Sequence, residues 1–142
     1  GFSLIEILVV VALIIILATI TIVAINPGKN FRDTRNAQRS SDVNTILSAI
    51  TQFTTDGNAL PAGVTACDET EPEGWKTGAD IGTEGVDLTF LTTEGNDYMV
   101  AVPKDPQGGT PETTGYKICS IGTRVQIAAP NAEGGKKIVV KR

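Results

Sequence analysis

From Ile7 to Ile25 the chain reads ILVVVALIIILATITIVAI, nineteen residues whose polarity rises only at Thr19 and Thr21. As a helix this run rises about 28 Å, close to the roughly 30 Å of a bilayer's hydrocarbon core. A threonine hydroxyl can return its hydrogen bond to a carbonyl of the preceding turn, so neither threonine breaks the pattern. The plain alternative is a secretory signal peptide, which asks for a basic start, a shorter apolar core and a small-residue cleavage site. Residues 1–28 hold no Lys or Arg, and Asn26-Pro27-Gly28 follows the run. The pattern therefore predicts a retained apolar helix that crosses a membrane or fills the core of a bundle.

Glu6 is the only acid in residues 1–28. A carboxylate left unpaired within such a helix costs on the order of 2.5–3.5 kcal/mol on insertion scales. One reading makes it a helix-start acid, favourable to the helix dipole at the membrane surface. The other keeps the carboxylate to meet a cation inside an assembly.

The order Gly1-Phe2-Ser3-Leu4-Ile5-Glu6, running directly into the aliphatic stretch, resembles the class III signal region of type IV pilins and pseudopilins. The resemblance covers about 25 residues. It implies cleavage by a prepilin peptidase between Gly1 and Phe2, N-methylation of the new terminus, and a role for Glu6 in subunit assembly. In that setting Glu6 is expected to be buried beside the terminal amine of a neighbouring subunit. A mis-staggered neighbour would then leave a buried charge alone, at roughly 3–5 kcal/mol.

Composition narrows the function classes. With no histidine among 142 residues, Ser-His-Asp triads and histidine zinc sites are excluded, and no histidine base is present to activate a Ser or Thr. Two cysteines are too few for a four-thiolate zinc site. A net charge of −4 argues against a general nucleic-acid binder. No catalytic residue and no metal ligand set is assigned.

Beyond the break expected at Pro27 and Gly28, helical spacing resumes. Val43, Ile46, Leu47, Ile50 and Phe53 make one apolar face, Arg32, Arg35 and Arg39 a second stripe, and Asp56-Gly57-Asn58 the stop. The reach from Asp56 to Asp97 carries ten acids and one base, Lys76, with no sustained period. Oxygen ligands for Ca²⁺ are plentiful there, but no EF-hand spacing is present, and a solvated loop is the simpler expectation. Trp75 and Phe90 are expected to pin this loop to the head. Strands are then predicted at Tyr98–Val102, Tyr116–Ile121, Arg124–Ala128 and Lys137–Lys141, with a hairpin turn at Gly122-Thr123. Val102-Pro103-Lys104-Asp105-Pro106 is similar to a proline-aspartate-proline stretch of many pseudopilin and small pilin heads.

Cys67 falls in the acidic loop and Cys119 on a predicted strand. In an oxidising compartment they would tend to bridge, adding roughly 4 kcal/mol in the chain-entropy view; two buried free thiols are the other reading. The expected fold is α+β. A long N-terminal helix, with an apolar half, a Pro/Gly break and an amphipathic half, packs on a small antiparallel sheet of three or four strands. The expected segments are an apolar helix at 1–28, an amphipathic helix at 29–57 and a globular head at 58–142.

Three functions compete. The first is a major pilin: helices held in the inner, cytoplasmic membrane until assembly machinery packs them into an extracellular homopolymer, serving adhesion, motility or DNA uptake. The second is the major pseudopilin of a type II secretion system, whose family usually carries an acid cluster for calcium near the C-terminus. Here Ala129–Lys137 contains one acid, Glu133. The third is a membrane-anchored binding head, which needs neither Glu6 nor an interrupted helix. Lys136, Lys137, Lys141 and Arg142 form a basic cluster, but no aromatic residue accompanies it in sequence, so nucleic acid has no support as a partner. No Asn-x-Ser/Thr acceptor is present, so any sugar would be O-linked.

Overall fold

Ser3 begins the first helix by a reciprocal cap. Its hydroxyl accepts from the Glu6 N–H, while the Ser3 N–H donates to the Glu6 carboxylate at 2.9 Å. This computed structural model describes residues 1–93 and 96–142. Helix α1 runs Leu4–Ile25 and none of its residues is buried. It is long and apolar enough to cross a membrane. Thr19 and Thr21 donate their hydroxyls to the carbonyls of Ile15 and Leu17, each at 2.8 Å, which hides both polar atoms along the helix wall.

The interruption is one residue wide. Asn26 adopts the left-handed conformation at φ 50 and closes α1. Its side-chain oxygen also accepts from the Lys29 N–H at 3.3 Å, so the same residue opens α2, Pro27–Thr55. Pro27 thus stands at a helix's first position, where its missing N–H leaves no bond unmade. Gly28 lies inside α2. The chain divides into two compact units, Gly1–Thr34 and Arg35–Arg142.

In the second unit α2 buries Val43, Ile46, Leu47, Ala49 and Ile50, with Phe53 partly covered beside them. The spacing of the apolar face accounts for this. The same core cluster takes Tyr116 and Ile118 from one side of the hairpin and Val125, Ile127 and Ala129 from the other. Strand β3 is Lys117–Ile121 and β4 is Arg124–Ala128, paired antiparallel from Lys117↔Ala128 to Ile121↔Arg124. Gly122 takes φ 61 at the first position of the two-residue turn, a region that suits glycine.

The sheet corrects the expectation of three or four antiparallel strands: it is a mixed sheet of five. β5, Val139–Lys141, pairs antiparallel with β4. β4 and β5 leave one edge of β3 open, and the acidic loop fills it with two very short strands. β2, Ala79–Asp80, runs antiparallel against Lys117 and Ile118, and β1, Thr65–Ala66, runs parallel against Cys119 and Ser120. Two-residue strands carry no readable alternation. The parallel pair runs directly into the disulfide: Cys67 and Cys119 are bridged, with Cα atoms 4.9 Å apart, and the Cys67 N–H donates to the Ser120 carbonyl at 2.9 Å.

Tyr98–Val102 is not a strand. The N–H groups of Tyr98 and Met99 both turn to the Leu91 carbonyl, at 3.0 and 3.3 Å, in the short 3-10 turn Thr89–Thr92. Phe53 meets the rings of Phe90 and Tyr98 edge-on, at 5.1 and 5.5 Å between centroids. Aromatic packing therefore outcompetes sheet pairing there. Through this contact Phe90 ties the acidic region to α2, as expected of it. The sheet face that carries Cys119 and Gln126 is covered by the loop, the Gln126 amide donating to the Trp75 carbonyl at 3.3 Å. Gly74 is required in that cover, because a Cβ there would overlap the Asp68 carbonyl oxygen.

Candidate assembly helix and the charged node of the head

Of the residues the sequence singles out, Gly1, Phe2 and Glu6 stand exposed at the start of the first unit, and Phe2 is 85% exposed. Within this chain the partner of Glu6 is the Ser3 backbone, so the helix-start role is present in the geometry. An open apolar notch of about 510 Å³ is lined by Phe2, Ile5, Glu6, Ile7, Val9 and Val10. It combines one carboxylate with an otherwise apolar surface. Pro27 and Gly28 lie within the same unit, at the junction built on Asn26. Cys67 and Cys119 lie in the other unit, on the covered face of the sheet.

The second unit contains a charged cluster that the sequence does not announce. Arg39 has a fully buried side chain and grips Asp105, also fully buried, with two bonds: Nε to Oδ2 at 2.7 Å and Nη2 to Oδ1 at 3.0 Å. Its Nη1 donates to Glu133 at 2.8 Å and to the Asn36 side-chain oxygen at 3.1 Å. Arg35 makes a second two-pronged pair with Glu133, at 2.6 and 2.5 Å. Asn36 closes the ring by exchanging hydrogen bonds with the Glu133 backbone, at 2.8 and 3.0 Å. Three residues in two turns of α2 therefore hold two distant loops.

One turn further on, Asp42 accepts from the Tyr116 hydroxyl at 2.5 Å and from the Gln38 amide at 2.7 Å. No buried side-chain polar atom among the described residues lacks a partner.

Electrostatics follow this geometry. Hydrogen bonds from Arg35 first and Arg39 second hold the Glu133 carboxyl well below the usual range, at about 2. The bond to Asp105 raises the already high Arg39 value. Burial, then the bond to Asp42, pushes the Tyr116 hydroxyl up. These groups stay fixed in one charge state across the neutral range, as a fastening requires.

Sequence reasoning finds the arginine stripe but not its partners, because Asp105 and Glu133 lie 66 and 94 residues beyond Arg39. The proline-aspartate-proline stretch was the one available signal. Pro106 follows Asp105, whose carboxylate also accepts the Gln107 N–H at 2.8 Å.

The acidic loop directs its carboxylates elsewhere than to a common centre. Asp68 accepts from the Thr70 N–H and hydroxyl, and Glu73 pairs with Lys76 at 3.0 Å. Among the described residues no three potential ligands converge on a metal position. The fold does bring an aromatic to the basic cluster, which the sequence order does not: Lys137 Nζ lies 5.9 Å from the Trp75 ring and Lys76 Nζ 5.3 Å. Comparison of the chain with known protein families, with curated proteins and with solved structures finds no match.

Proposed function

We propose that this chain is the structural subunit of an extracellular helical filament of the type IV pilus kind, assembled by packing its apolar helices. The observation that carries the reading is α1 itself: twenty-two residues, none buried, opened by the Ser3–Glu6 pair. Such a surface is stable only in lipid or against other apolar helices. Passage from the membrane to a fibre exchanges one apolar surrounding for another, and assembly machinery supplied by other proteins drives the transfer. The resemblance of Gly1-Phe2-Ser3-Leu4-Ile5-Glu6 to a prepilin signal adds a peptidase cut before Phe2 and methylation of its amine. Adhesion, motility and DNA uptake are the activities such a filament serves.

Against a type II secretion pseudopilin stands Glu133, the one acid of Ala129–Lys137. It is engaged by Arg35 and Arg39 and offers no free carboxylate to a calcium ion. The test is electron microscopy of sheared cell-surface material with antibody to the head. Long labelled fibres are expected. Label confined to membrane monomers or short stubs would overturn the reading.

A further inference from the structure

Among the described residues outside α1 and Phe2, two large apolar side chains stand mostly in water: Phe31, 66% exposed, and Val100, 100% exposed. Monomers tolerate isolated examples, but both have a charged neighbour of opposite kind. Arg32 follows Phe31, and Asp97 lies three residues before Val100; neither has an ion-pair partner among the described residues. Val100 also forms part of the wall of an open groove of about 550 Å³. Its other wall is the hydroxyl and amide stripe Ser41, Asn44, Thr45 and Ser48 of α2. The groove is uncharged, apolar on one side, and roomy enough for a phenyl ring.

We propose that the groove beside Val100 receives Phe31 of a second copy of this chain, with that copy's Arg32 set against Asp97. An apolar knob followed in the chain by a cation meets an apolar wall preceded in the chain by an anion. Because the knob and the groove are different surfaces, the contact is head-to-tail and repeats without closing, so it generates an open helical array. A two-fold dimer is not required. The inference rests on the filament reading and adds to it a contact outside α1, one that fixes which subunit neighbours which.

The test is a charge exchange read with a cross-link, both in the full-length chain in cells. Arg32→Asp should cut fibre yield roughly tenfold by setting like charges together, and adding Asp97→Arg should restore it to within about twofold. Independently, Arg32→Cys with Asp97→Cys, which keeps Phe31 and Val100 in place, should give a ladder of covalent oligomers from sheared fibres on non-reducing gels. Both positions are solvent-exposed, so neither change endangers the head. Normal fibres from Arg32→Asp, or fibres of the double-cysteine chain that run as monomers, would overturn the contact while leaving the filament reading intact. Failure of the unaltered chain to form any fibre would remove both.

Discussion

Along α1 every side chain from Leu4 to Ile25 lies open, whereas in residues 35–142 even the guanidinium of Arg39 is sealed from water. Helix α1 leaves apolar surface uncovered and keeps its one acid on a local backbone partner. The second unit covers its apolar surface, Val100 apart, and satisfies its buried charges with its own residues. A region whose buried polar groups are all matched internally and whose apolar core is closed is finished as a folded object. One with none of its apolar surface matched is built for a surrounding that the single chain does not supply.

The largest expected effect tests the unfinished side of that comparison. Glu6→Ala should leave membrane insertion and head folding unchanged. It should reduce fibre yield by about 100-fold or more, if each misplaced contact costs roughly 3 kcal/mol. Abundant normal fibres from this variant would break the contrast, because α1 would then assemble on apolar packing alone.

On the finished side, Arg39→Ala should destabilise the head by about 3–5 kcal/mol, since it abandons the buried Asp105 carboxylate. Urea titration of the variant head measures this, and a loss under 1 kcal/mol would show that the node is ornamental. Reduction of the Cys67–Cys119 bridge, which closes a separation of 52 residues, should cost up to about 4 kcal/mol. Protease should then cut residues 67–77 before it touches α2, and the reverse order would contradict the role given to the loop.

The smallest effect is a pH dependence. Glu133 has a folded value of about 2 against an ordinary 4.5. Its contribution is complete above pH 4.5 and is lost as pH falls toward 2, because the unfolded chain takes up the proton first. Head stability should therefore decline through that window, and Glu133→Gln should flatten part of the decline.

How much of this was legible in the sequence differs between the same two regions. α1 could be read residue by residue, because nineteen apolar residues are a local signal, and so could the α2 face and the Gly122 hairpin. The Asn26 cap was hidden behind its more conspicuous neighbours Pro27 and Gly28, although asparagine is the residue that can both end one helix in a left-handed turn and start the next. β1 and β2 were illegible, being two residues each and specified by the edge of β3 and by a disulfide. Tyr98–Val102 had strand composition, and only the position of Phe53 and Phe90 in space explains why it does not pair. The node was half legible: its arginines show a helical spacing, but nothing local ties them to Asp105 or Glu133.

The parallel pairing of β1 with β3 has a consequence for the order of events during folding. Contacts close together in sequence form fastest, so the β3–β4 hairpin can form as soon as its residues are present, while β1 must await a partner more than fifty residues downstream. If the chain is translocated from its N-terminal end into an oxidising compartment, Cys67 emerges as a thiol long before Cys119. With two cysteines in the whole chain, that early thiol has no wrong partner within its own molecule. Mispairing can occur only between chains. The yield of native bridge should thus depend on how crowded the nascent chains are, and not on an isomerase to reshuffle internal errors.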